Sequence, residues 1–191
     1  AHNRVWCAWT KKGDEWIEWR SPEGMQGYLD GNEICAHNLI GFDAPVLRKV
    51  WGITIPMSKA VDTLVMARLL DPVVSLPKLP EGADKKKISQ HSLAAWGIRA
   101  GCNKMNFDVE DFDAGYTEEM STYCKQDVEV LEAVHKLLLS EFAKWDDGGK
   151  QSLELEHKVA MYMAQQERNG FKLNVRMATE LLAHMRQRML T

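Results

Sequence analysis

The sequence predicts an α/β domain closed by a C-terminal helical appendage. Short β-branched and aromatic segments crowd the first third. Capped segments with apolar residues at three-and-four spacing follow. Asp146-Asp147-Gly148-Gly149 then breaks the pattern before two further helical segments. The break places a domain over residues 1–147 and an appendage over 151–191. A length of 191 residues suits one full domain plus such a piece, and is short for two ordinary domains.

Residues 5–10 (VWCAWT) and 15–20 (EWIEWR) flank a Lys-Lys-Gly-Asp turn and read as a β-hairpin. Ser21-Pro22-Glu23 opens a short helix through Leu29. Residues 33–37 (EICAH) form a brief apolar run that suits a buried parallel strand. Asp43 precedes Ala44-Pro45, and Val46, Leu47 and Val50 recur at helical spacing up to Gly52. An Asp N-cap, a proline in the first turn and a closing glycine define that helix. Asp62 likewise precedes a helix over 63–70, stopped by Pro72. Residues 71–90 read as a loop carrying Lys85-Lys86-Lys87, and 89–98 as a short helix. The longest helix is predicted over 117–145, with Glu118 and Glu119 in its first turn. Met120, Tyr123, Cys124, Asp127, Leu131, Val134, Leu138 and Phe142 make its stripe. Two helices follow. One runs over 152–169 and closes at Gly170 in a left-handed cap. The other is capped by Asn174, after an extended step at 171–173.

Apolar residues make up 45% and charged residues 27%, the balance of a soluble globular chain. Lys plus Arg is 24 against Asp plus Glu at 27, a net charge of −3. This excludes a uniformly basic surface and leaves room for one local basic groove. Residues 1–150 hold 18 basic and 23 acidic side chains and residues 151–191 hold 6 and 4, so the appendage is the mildly basic part. No apolar run approaches the roughly 18 residues of a membrane span, so no membrane partner is expected. The four cysteines Cys7, Cys35, Cys102 and Cys124 are unclustered and read as reduced thiols in a cytoplasmic protein. The first residue is Ala1 rather than Met, so a processed or truncated chain is expected.

Asp127 is the most informative residue. A carboxylate on an apolar stripe needs a cation, a donor or an edge position, because an unpaired buried charge costs several kcal/mol. Tyr123 lies four residues earlier and projects from the same face. Such a pair can place a phenol near a metal-bound water; a solvated edge Asp and a core Tyr account for the pattern without one. Asp43 follows a predicted parallel strand, where α/β folds place ligand chemistry, although an N-cap accounts for it equally well.

Asn38-Leu-Ile-Gly-Phe42-Asp43 followed by Tyr123-Cys-Lys-Gln-Asp127 resembles the second and third motifs of the DEDDy 3′–5′ exonucleases, N-x-x-x-[FY]-D and Y-x-x-x-D. Residues 61–69 and 89–97 are similar to the segments that lie between those motifs. Glu167-Arg168-Asn169-Gly170-Phe171-Lys172-Leu173-Asn174 resembles the E-x-x-G-F-x-[LFV]-[DN] junction that opens the thumb of family A (polymerase I-like) DNA polymerases. Nearly the whole chain thus resembles a part of those polymerases, of the short-tailed phage type.

The resemblance implies a ribonuclease H-like mixed sheet flanked by helices, followed by the first thumb helices. It implies proofreading hydrolysis of 3′-terminal nucleotides with two Mg²⁺ or Mn²⁺ ions. Asp43 and Asp127 would be metal ligands and Tyr123 would orient the attacking water. Asn38 and Phe42 would shape the pocket for the terminal nucleotides, and Asp62 would brace the site as a helix cap. The implied partners are a single-stranded DNA 3′ end, the remainder of a polymerase chain and a processivity factor, in a bacterial host's cytoplasm. The first motif, D-x-E on the first strand, is expected upstream of Ala1. Asp108-Val-Glu110 has the letters but not the place. Without that strand, 5–10 and 33–37 would lack a common neighbour, and the isolated chain would have little or no activity. A stand-alone ribonuclease of the ribonuclease D type is the alternative enzyme, which the Gly170-Phe171 junction disfavours. A non-catalytic nucleic-acid-binding module is the alternative outside catalysis.

Overall fold

The computed structural model describes residues 4–80, 88–104 and 115–189. The basic run Lys85–Lys87 and the Asp108/Glu110 pair lie outside the described residues. Strands β1 (Ala8–Lys12) and β2 (Glu15–Trp19) form the hairpin, turned by Gly13 and Asp14, with Gly13 at φ 60°. Helix α1 (Met25–Asp30) follows. Strand β3 (Ile34–Ala36) then pairs in parallel with β4 (Ala60–Asp62), in the register Ile34 to Ala60 and Ala36 to Asp62. Helix α2 (Ala44–Trp51) lies between these strands, and α3 (Thr63–Leu70) leaves β4 directly. Among the described residues the two strand pairs share no ladder, so β1 and β3 each keep one open edge. The architecture is mixed α/β, as the sequence predicts.

The helix caps explain where most helices begin. The Ser92 hydroxyl accepts from the Ala95 amide at the start of α4 (Leu93–Arg99). Thr117 does the same for Met120 at the start of α5 (Glu118–Phe142). Asn174 caps α7 (Val175–Met189) through the Met177 amide. Gly52 ends α2 in the left-handed region at φ 70°. Gly170 ends α6 (Lys150–Asn169) differently from the expected left-handed cap. Its φ of 62° with ψ −169° falls in a region open to glycine alone, and the chain leaves extended.

One core lies among α3, α4 and α5, where Met66, Trp96, Val134, Leu138 and Phe142 are buried. A buried side chain of this size contributes about 1.5–3 kcal/mol. Gly97 lets α4 seat closely on α5, since a Cβ there would stand 2.6 Å from both the Cys102 carbonyl oxygen and Val130 Cγ1. A second core, with Met25, Leu29, Leu39 and Ile53, lies under α1 and α2. The hairpin is locked onto α5 by polar contacts. Trp9 Nε1 donates to Ser121 Oγ at 2.9 Å, Ser121 donates to Glu18 at 2.5 Å, and Lys11 pairs with Glu132. Helices α6 and α7 bury no residue fully, and Leu181, Leu182 and Met185 of α7 stay exposed. Among the described residues no helix is long and apolar enough to cross a membrane.

Candidate active site

Parallel pairing brings the C-terminal ends of β3 and β4 side by side, and the loop after β3 meets the carboxylate that ends β4. Asp62 is only 2% exposed. Its Oδ1 accepts from the Asn38 and Leu64 amides, both at 2.9 Å, and its Oδ2 accepts from the Ile40 amide at 2.9 Å. One carboxylate therefore caps α3 and holds the turn after β3. The Asp62 amide in turn donates to His157 Nε2 at 2.9 Å, and His157 Nδ1 donates to the Leu153 carbonyl at 2.7 Å. That pair fixes the imidazole tautomer and ties α6 to the site.

The turn from Leu39 to Asp43 is a single π-helical turn. Asn38 enters it in the left-handed conformation, φ 66° and ψ 33°, which asparagine tolerates better than most residues. The Asn38 side chain lies over Gly41, where a Cβ would stand 2.5 Å from Oδ1. Phe42 is 42% exposed. The expected N-cap role of Asp43 is corrected here. Its backbone is already helical at φ −64° and ψ −46°, and its side chain makes no cap hydrogen bond. The extra residue of the π turn advances the backbone past the capping position, and π turns recur at functional sites. The freed carboxyl is half-buried and pushed up to about 7, first by burial, then by the charge of Asp62, with Asp127 adding to it.

Asp127 comes from the middle of α5. Burial also raises its carboxyl, and Lys104 opposes that rise. Lys104 Nζ donates to Asp127 Oδ2 at 2.8 Å, while the buried Oδ1 has no hydrogen-bond partner among the described residues. The ammonium also lies 4.7 Å from the Tyr123 ring centroid. Burial pulls Lys104 down, but the charge and hydrogen bond of Asp127 and the Tyr123 phenol hold it above the usual lysine range. Lys104 thus links Asp127 to Tyr123, and the charges of Asp62 and Asp127 both add to the rise at Asp43.

Sequence reasoning missed Lys104, His157 and strand β4. Lys104 carries no local signal, because its partners lie 19 and 23 residues further on, at Tyr123 and Asp127. His157 sits on a polar-looking helix, and a three-residue strand is too short to show a period.

Magnesium and manganese are hard cations that take oxygen ligands. The unpaired Asp127 Oδ1 and the raised Asp43 carboxyl fit such a cation as part of its donor set. Among the described residues no group of three or more His, Cys, Asp or Glu side chains is placed to hold a metal. A cation held there would need further donors.

The described residues form a mixed α/β fold in which Asp62 ends one strand of a parallel pair and Asp43 follows the other. No family model matches the chain. It is similar to the DNA-directed DNA polymerase of Escherichia phage T7, with 27% identity over 91% of this chain and 31% of the relative. It is similar also to the DNA-directed DNA polymerase of Enterobacteria phage T3, with 27% identity over 87% of this chain and 30% of the relative. The likeness to phage-type DNA polymerases read from the motifs thus holds along about nine tenths of the chain. The chain spans about a third of the length of these curated relatives.

Proposed function

We propose that this chain is the 3′–5′ exonuclease part of a phage-type DNA polymerase, with a ribonuclease H-like core and the first thumb helices in α6 and α7. What supports the reading is the 27% identity with two phage DNA polymerases along about nine tenths of the chain, together with the exonuclease-like motifs that end at Asp43 and Asp127. Asp43 and Asp127 would hold Mg²⁺ or Mn²⁺. When bound, the ions activate water and stabilise the leaving oxygen. Tyr123 would orient the attacking water. Asn38 and Phe42 would shape the space for the terminal nucleotides. Water adds to phosphorus, the bond to the 3′ oxygen of the penultimate nucleotide breaks, and a nucleoside 5′-monophosphate leaves. Lys104 pairs with Asp127, and a divalent cation held by Asp127 would take that place. The open edges of β1 and β3 suit an intervening strand carrying D-x-E, which would add the further donors. A single-stranded 3′ end, the remainder of the polymerase and a processivity factor are the partners this reading entails.

The Lys104–Asp127 pair also favours a second reading, a non-catalytic module whose acidic site is permanently closed by its own lysine. The two separate in one experiment. A strand carrying D-x-E is joined ahead of Ala1, and degradation of single-stranded DNA labelled at its 5′ end is followed with Mg²⁺. The exonuclease reading expects stepwise shortening from the 3′ end, reduced at least about 100-fold by Asp43→Asn or Asp127→Asn. It also expects the unextended chain to be nearly inactive. No shortening by the extended chain, or shortening indifferent to both substitutions, would overturn it.

A further inference from the structure

A groove of about 750 Å³ runs between α2 and α6, lined by residues to which the cleavage reading gives no role. Arg48 and Lys49 line it from α2, and Lys158 and Arg168 from α6. Among the described residues no carboxylate lines it, although the chain as a whole is net acidic. Arg48, Lys158 and Arg168 are exposed and make no hydrogen bond or ion pair among the described residues. Helix dipoles favour cations in the last turns of α2 and α6, which accounts for Arg48, Lys49 and Arg168 individually. They do not account for Lys158 in mid-helix, nor for the convergence of all four on one cavity.

The α6 side of the groove has a pattern of its own. Lys158, Met161, Tyr162, Gln165 and Arg168 fall at relative positions 0, 3, 4, 7 and 10, a single helix face. Tyr162 is 73% exposed, so its ring lies on the surface between the two cations of that face. Cations alternating with an open aromatic ring over an apolar floor match single-stranded nucleic acid, whose phosphates take the cations and whose bases stack on rings. A wholly acidic peptide would use the cations and leave the ring idle. The groove also reaches Ala44 and Pro45, next to Asp43 in the chain.

We propose that the α2–α6 groove is a binding track for single-stranded nucleic acid, in which Arg48, Lys158 and Arg168 hold phosphates and Tyr162 stacks a base. The track goes beyond cleavage and does not depend on it.

The test measures binding of a fluorescent oligothymidylate to the 191-residue chain by anisotropy, in EDTA, across a range of salt concentrations. Without divalent cations no cleavage enters, so the result stands apart from the roles of Asp43 and Asp127. The triple variant Arg48→Gln, Lys158→Gln, Arg168→Gln is expected to flatten the log Kd against log salt slope by about 2. Tyr162→Ala is expected to weaken binding about 10-fold without changing that slope, and Tyr162→Phe to restore it. All four side chains are exposed, and circular dichroism checks that the variants keep their helices. A triple variant with the original affinity and slope would overturn the track. An unaffected Tyr162→Ala, or displacement of the oligonucleotide by polyglutamate of equal charge at equal concentration, would overturn its assignment to nucleic acid.

Discussion

Replacing Asp43 with asparagine is expected to stabilise the fold at pH 8 by about 2 kcal/mol and to leave it nearly unchanged at pH 4. The carboxyl is raised from an ordinary 3.8 to about 7, chiefly by burial and then by Asp62 and Asp127. A carboxyl with a raised folded value gives its full stability below its unfolded value, near 4. That stability is lost as pH climbs towards 7, because the folded state must then carry a charge that the unfolded chain carries without penalty. Each tenfold change in proton affinity corresponds to about 1.4 kcal/mol, and partial exposure halves the resulting total of about 4. Asparagine keeps the shape and removes the charge. Urea midpoints of the two proteins at pH 4 and pH 8 measure the effect. Asp127 is raised in the same direction by burial, with Lys104 opposing the rise. A destabilised Asp43→Asn protein at pH 8 would show that the carboxylate holds the fold together rather than serving a site.

The opposite outcome is expected one layer down. Asp62→Ala should cost about 3–5 kcal/mol, the scale of a broken buried charge network. The loss leaves the amides of Asn38, Ile40 and Leu64 without their acceptor, and each unmet buried donor costs about 1–3 kcal/mol. Against a total stability of about 5–15 kcal/mol this approaches unfolding. Asp62→Asn keeps one acceptor oxygen but turns an N–H towards one of the donors, so it should lose roughly half as much. Urea denaturation gives the totals, and hydrogen exchange at the Ile40 amide localises the loss. An Asp62→Ala protein within about 1 kcal/mol of the parent would contradict the bracing role.

These two aspartates show what was legible in the sequence. Helices with polar caps and a regular apolar stripe are local objects. Thr117, Asn174 and Gly52 marked their ends correctly because capping involves neighbours three or four residues away. Asp62 was readable as a cap for the same reason. Its hold on Asn38 and Ile40 was not, since that depends on β4 lying beside β3. Asp43 looked like an ordinary cap, because nothing in the local pattern announces a π turn. The motif resemblance drew attention to Asp43, Tyr123 and Asp127 together. Lys104 could not be found this way, since an ion pair across 23 residues leaves no periodic trace. On α5 Val130 is buried along with the expected Val134, Leu138 and Phe142, while Leu131 is only half-buried, so the stripe is turned slightly from the predicted line.

The most direct test of Asp43 and Asp127 as one cation site is calorimetric titration of the 191-residue chain with Mn²⁺ at pH 8. The expected result is weak but saturable binding. Either Asp43→Asn or Asp127→Asn should weaken it by at least about 10-fold. Lys104→Met, which removes the competing ammonium from Asp127, should tighten it. Mn²⁺ binding that neither carboxylate substitution alters, or that Lys104→Met leaves unchanged, would contradict it.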